Sequence, residues 1–269
     1  MIIDFHTHIF PDKIAGRTID ILEQNIEQVE GCIHKAFIPA THEALLGSMQ
    51  KQEVDYSVVL PIATTPTQSP SINRFAAQIN GKDHLFSFGS IHPLQPDWEA
   101  ALEEVKEYGL PGIKLHPEYQ QVFVDAPECI RIFKKAEELG LLVVLHAGLD
   151  IGVKPPSHGL PVHLSHVLQE VSGEGIIAAH MGGYRAWDEV ERYLVGTPIR
   201  FDTSFSLLEI PKEQALRLIR SHGAEKILFG TDSPWEKPSD TLSYLNALEL
   251  TPAEMDLILS GNAKKLLKI

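Results

Sequence analysis

The chain has 269 residues, of which 43% are hydrophobic and 22% charged. That composition excludes a disordered chain, and no run approaches the roughly 18 apolar residues of a membrane-spanning helix. Its 23 basic and 36 acidic residues leave a net charge of −13, which repels a phosphate backbone at long range and argues against general nucleic-acid binding. Cys32 and Cys129 form neither a C-x-x-C pair nor a disulfide framework, so any metal is expected on nitrogen and oxygen ligands. No basic-then-apolar leader follows Met1, and the expected residence is the cytoplasm.

In chain order, eight short apolar runs rich in β-branched residues read as strands: 1–5, 56–60, 85–91, 112–115, 141–145, 175–179, 199–202 and 226–229. Stretches of helical period alternate with them, including 97–108, 127–139, 184–195 and 212–221, several opened by Pro or Asp and closed by Gly140, Gly196 or Gly223. Segments 240–248 and 252–267 predict two or three further helices after the last strand. Eight βα units predict an α/β fold, a single (β/α)8 TIM barrel domain over 1–269 with extra C-terminal helices. Two connections that follow strands, 61–71 and 147–163, are long and rich in Thr, Pro or Gly, and each is a candidate substrate lid at the catalytic face.

The thirteen histidines are the compositional anomaly. His6-Thr7-His8 directly follows the first run, where strand alternation points two imidazoles the same way. By chance alone such a tripeptide is expected roughly 0.6 times in a chain this rich in histidine, so its placement carries the argument. The same placement recurs in Lys114 and His116 of GIKLHP, His146 of VVLHAG, His180 of IAAHMGG and Asp232 of LFGTDSPW. Side chains suited to metal ligation and acid/base work thus gather at five strand ends, the face where barrel enzymes build active sites. His34, His42, His84, His158, His163, His166 and His222 fall in helical or connecting segments and read mostly as surface residues, while His92 is a candidate pocket residue. Gly182-Gly183 predicts a tight turn, because no dinucleotide or P-loop pattern accompanies it, and a nucleophile elbow is also lacking.

IIDFHTHIFP, GIKLHP, LHAG, AHMGG, GTDSPW and GNAKKLL, in that order and spacing, resemble the amidohydrolase superfamily. Within it the chain is similar to the amidohydrolase-related branch of aminocarboxymuconate-semialdehyde decarboxylase, resorcylate-type decarboxylases, sugar and pyrone lactonases and related hydratases. The resemblance implies that His6, His8, His146 and Asp232 hold one divalent cation, most often zinc, and that His180 lies beside the metal-bound water as an acid/base group. It places Lys114 and His116 toward substrate or a second metal, the second ion requiring a carboxylated Lys114. Arg185, after the AHMGG turn, is a candidate partner of a substrate carboxylate along with Lys114, and Arg17 a weaker one.

The implied activity is metal-dependent hydrolysis of an amide, lactone or related bond in a small, anionic molecule. Asp232 would serve as both ligand and proton shuttle, and His180 would meet the developing oxyanion. Non-oxidative decarboxylation of a small unsaturated or aromatic carboxylate is the alternative. A TatD-type nuclease would share the paired histidines and final aspartate, but the fourth run here offers Lys114 and His116 rather than a clear acidic ligand, and a barrel that only stores or senses metal is the non-enzymatic alternative. A homodimer is the prior for a soluble enzyme.

Overall fold

Strands buried on both faces need continuous apolar sequence, and the runs around LVVL and IIA supply it. The computed structural model describes residues 1–269. Its strands are β1 (Ile3–Thr7), β2 (Tyr56–Val59), β3 (Leu85–Ser87), β4 (Gly89–Ser90), β5 (Gly112–Leu115), β6 (Leu142–Leu145), β7 (Ile176–Ala178), β8 (Arg200–Asp202) and β9 (Ile227–Leu228). All pair in parallel, in the orders β1-β2-β3 and β4-β5-β6-β7-β8-β9. β3 and β4 are two halves of the run predicted over 85–91, interrupted at Phe88, whose amide still donates to Val59 O at 3.0 Å. The ring closes where Phe5 N–H donates to Phe229 O at 2.8 Å, His8 N–H to Ser233 O at 2.7 Å and Asp232 N–H to His6 O at 2.8 Å. Eight parallel barrel strands result, a TIM barrel as the sequence predicts.

The helices are α1 (Asp12–Glu30), α2 (His42–Gln52), α3 (Ser69–Ile79), α4 (Trp98–Glu107), α5 (Pro117–Gln120), α6 (Pro127–Leu139), α7 (Pro161–Val167), α8 (Trp187–Tyr193), α9 (Lys212–His222), α10 (Pro238–Asn246), α11 (Pro252–Asp256) and α12 (Asn262–Leu267). None is long and apolar enough to cross a membrane. Alternation along the strands divides the core. Ile113, Leu115, Val143, Leu145, Phe201 and Phe229 face the helices. Phe5, Val58, Phe88, Val144, Ile177 and Leu228 fill the barrel, closed below by Ala263 and Leu267 of α12. The extra C-terminal helices are therefore a plug. Asn262 Nδ2 fixes it by donating to Ala224 O at 2.8 Å and Ile227 O at 2.7 Å.

One irregularity positions the site. Asp4 pairs with Ser57 and Thr7 with Val59, so β1 carries one more residue than β2 over the same stretch. This bulge lets Phe5 pack in the barrel interior while His6, its neighbour, also points inward, overriding simple alternation. Asp4 braces the bulge by accepting from His6 N–H at 3.2 Å and from Thr231 Oγ1 at 2.6 Å.

Candidate active site

His6, His8, Lys114, His116, His146, His180 and Asp232 line one cavity of about 110 Å³ at the carboxyl-terminal ends of the strands. His6 Nδ1 lies 2.8 Å from Asp202 Oδ2, and His8 Nδ1 lies 2.8 Å from Leu60 O. Donation to these acceptors leaves each neutral ring with an unprotonated Nε2, that of His6 met by the Lys114 ammonium at 3.2 Å. Both nitrogens face Asp232 Oδ1, at 3.3 Å from His6 and 2.9 Å from His8. Burial, reinforced by Lys114, lowers His6 to about 3, so the ring stays neutral. Burial works to raise the Asp232 carboxyl, and only positive charge beside it, His6 and His8 when protonated or a cation in their place, holds it at about 2. Two lone-pair nitrogens and an anionic oxygen within 4.8 Å of one another form a donor set that fits a divalent cation.

Lys114 is fully buried, and its ammonium reaches His6 Nε2 at 3.2 Å. Burial lowers it to about 8 against the opposing pull of Asp202, Asp232 and Asp150. His180 Nδ1 faces Ser204 O, His180 Nε2 faces His146 Nδ1, and His146 Nε2 faces Leu149 O, each at 2.9 Å. These three contacts need three protons, where two neutral rings carry two. Burial opposes the extra proton by lowering both rings, so the pair is short of one positive partner, a second feature that fits a bound cation.

His116 stacks on His146 with centroids 4.3 Å apart. Its Nδ1 accepts from Tyr119 N–H at 3.4 Å, which places the proton on Nε2, 3.4 Å from Asp150 Oδ2. His146 thus falls by distance with His116 and Asp150, while His6, His8 and Asp232 form their own group.

Asp202, at the end of β8, was not singled out in the sequence, yet it is the hub of the site. It accepts from His6 Nδ1 at 2.8 Å, His180 N–H at 3.0 Å and Ser204 N–H at 3.1 Å. An acid closing an apolar run is the same signal that marked the other strand ends. His180 and Asp232 adopt φ of 62° and 61°, in the left-handed region. Non-glycine residues stay there only when their surroundings over-determine them, and such strain gathers at functional sites. The expected Gly182 turn is present at φ 83°, with the Phe201 ring 2.7 Å from where a Cβ would sit.

Several expectations need correction. Arg185 does not line the cavity. Its φ of 54° turns it outward, where Nε pairs with Glu209 at 2.8 Å and Nη1 with both Glu30 oxygens at 2.9 Å. Arg17 is exposed on α1. His92 is buried in a turn, its Nδ1 accepting from Leu94 N–H at 3.1 Å, and lies outside the cavity lining. His222 is a core residue rather than a surface one. Of the two predicted lids, the second lines the cavity through Leu149, Asp150, Ile151 and Gly152, and the first only through Ile62. The second is strapped at its base by Gly148 N–H to Gly159 O at 2.8 Å and Leu149 N–H to Tyr184 O at 3.0 Å.

The model of the amidohydrolase family matches residues 3–269. No curated protein matches the chain. Among solved structures, it is similar to an uncharacterised TIM-barrel protein from Bordetella bronchiseptica, with 19% identity, a TM-score of 0.73, and 99% of this chain and 98% of that one covered. It is similar as well to 5-carboxyvanillate decarboxylase from Novosphingobium aromaticivorans, complexed with manganese and 4-hydroxy-3-methoxy-5-nitrobenzoic acid, with 14% identity, a TM-score of 0.73, and coverage of 100% and 96%. A third is the probable 2-pyrone-4,6-dicarboxylic acid hydrolase of Acinetobacter baumannii with citric acid bound, with 16% identity, a TM-score of 0.68, and coverage of 100% and 99%. At these identities the three establish the fold and not the substrate. Because the family match runs from the first strand to the last residue, the chain belongs to the amidohydrolase family, a family of metal-dependent enzymes.

Proposed function

We propose that the protein hydrolyses a small-molecule substrate with the help of one divalent cation, zinc by expectation, held by His6, His8 and Asp232 with His146 adjacent. The observation that carries this reading is the convergence of two unprotonated imidazole nitrogens on Asp232 Oδ1, at 3.3 and 2.9 Å. A divalent cation there supplies Lewis-acid polarisation and an acidified water, and this donor set suits zinc or manganese. Asp232, ionised, takes the proton from water and returns it to the leaving group. His180, also in the lining, would exchange its Nε2 contact with His146 for the oxygen on which charge develops. Lys114, the buried ammonium at the base, attracts an anionic reacting group. The two free cysteines suit a reducing compartment, and we place the protein in the cytoplasm.

Hydrolysis in heavy-oxygen water puts the label in the product, and chelation abolishes turnover that added zinc or manganese restores. Carbon dioxide release with no oxygen taken from water would assign the site to decarboxylation instead. Full metal occupancy in both His6→Ala and His8→Ala would remove those residues from the ligand set.

A further inference from the structure

The charges lining the cavity are unevenly placed. Lys114 is its one cationic side chain, and the ammonium lies at the base, 3.2 Å from His6 Nε2. The arginine nearest in sequence to the site, Arg185, is spent outside on Glu30 and Glu209. Much of the remaining lining is apolar, including Ile19, Leu22 and Ile26 of α1 and Leu149 and Ile151 of the 147–160 loop. These three α1 residues lie on the helical face turned to the barrel, at the i, i+3 and i+7 spacing of one stripe. Asp150 interrupts this lining with a carboxyl, which offers an acceptor and no counter-charge for an anion. A second carboxylate lodged here would lose its hydration and gain no cation in return. An alkyl chain or a ring would gain from burial. The cavity, about 110 Å³, is of the order of the roughly 150 Å³ that accommodates a benzene ring.

From this placement we infer the substrate class. The substrate carries a single polar or anionic group, which enters at Lys114, and an uncharged apolar body that packs on the Ile19–Leu22–Ile26 stripe. Molecules with a second charge at the far end are excluded, and α1 is the element that sets this preference. The inference rests on the hydrolase reading only in taking the base of this cavity as the place of reaction.

Hexanoate and adipate test it, because they differ only in whether the far end is a methyl or a carboxylate. Each is titrated calorimetrically into the purified protein, before and after chelation, with metal content measured on the same samples. Hexanoate should bind at least about 10-fold more tightly than adipate. Affinity should rise about 3- to 4-fold for each methylene added from butanoate to hexanoate. Leu22→Arg, which supplies the missing cation, should bring adipate level with hexanoate or ahead of it. Adipate binding as tightly as hexanoate to the wild-type protein, or no binding of hexanoate at all, overturns the inference. Neither acid is hydrolysed and Lys114 holds a carboxylate with or without the ion. A preference that persists after chelation therefore stands even if metal-dependent hydrolysis fails, and its loss leaves that hydrolysis untouched.

Discussion

His222 and His6 are both buried, at 2% and 0% exposure, yet their surroundings differ in one respect. His222 Nε2 donates to Ile199 O at 2.7 Å, its Nδ1 accepts from Gly196 N–H at 3.2 Å, and the ring lies on Phe201 with centroids 4.0 Å apart. Every proton and lone pair of that neutral ring has a matching partner. His6 donates through Nδ1 to Asp202, but its unprotonated Nε2 faces both the Lys114 ammonium at 3.2 Å and, at 3.3 Å, an Asp232 oxygen with no proton between the two acceptors. Burial of a histidine therefore does not mark a site, whereas a proton count that fails to balance does.

The largest effect should come from Asp232→Asn, where the mismatch is relieved because the amide can donate to a bare nitrogen but cannot take a proton from water. At matched metal occupancy, kcat should fall at least about 10²-fold. Steady-state kinetics within a few-fold of wild type would pass the proton-transfer role to His180. Asp202→Asn sharpens the comparison from behind the ring, since it weakens the acceptor that keeps His6 in its ligand tautomer. Competition with a chromophoric chelator should show about 10- to 100-fold weaker metal binding, and unchanged affinity would break the distinction drawn between the two histidines.

His222 itself makes the third prediction. Burial lowers this imidazole to about 4 from its ordinary 6.5, so the unfolded chain takes up the proton first. Its contribution to stability is complete above pH 6.5, declines as pH falls toward 4, and changes no further below that, for a total of roughly 3 kcal/mol. Urea titrations across that range should show the decline, and His222→Gln should flatten it. The smallest effect belongs to Arg185→Gln. Its ion pairs are partly exposed and worth about 1 kcal/mol or less, and with the side chain outside the cavity, turnover should stay within about 2-fold.

The strands and the residues at their ends were legible because burial on both faces demands apolar runs, and a polar residue closing such a run stands out. Asp202 was as visible by that rule as Asp232, but it lies in none of the segments that carry the family resemblance, so its signal was weaker than its role. Asp150 was not legible at all. It enters the cavity because the 147–160 loop folds back on Gly159 and Tyr184, a path set by tertiary contacts. Arg185 misled for a related reason: it is one residue from Tyr184 of the cavity lining, and a single positive φ turns it outward. The stripe on α1 has helical period, but which surface it covers is decided only once the barrel has closed.

That closure has a consequence for the order of events during synthesis. Asp4 and Thr231 meet across 227 positions of sequence, and His6 and His8 meet Asp232 at the same seam. A ribosome finishes the histidine pair almost at once, and the aspartate that completes the proposed set emerges only after all eight barrel strands have been made. Throughout translation the nascent chain therefore holds two ligands of an incomplete set. On the proposed ligand set, tight capture of a cation is an event of the finished barrel, and a chain stopped before residue 232 keeps the histidine pair without that capacity.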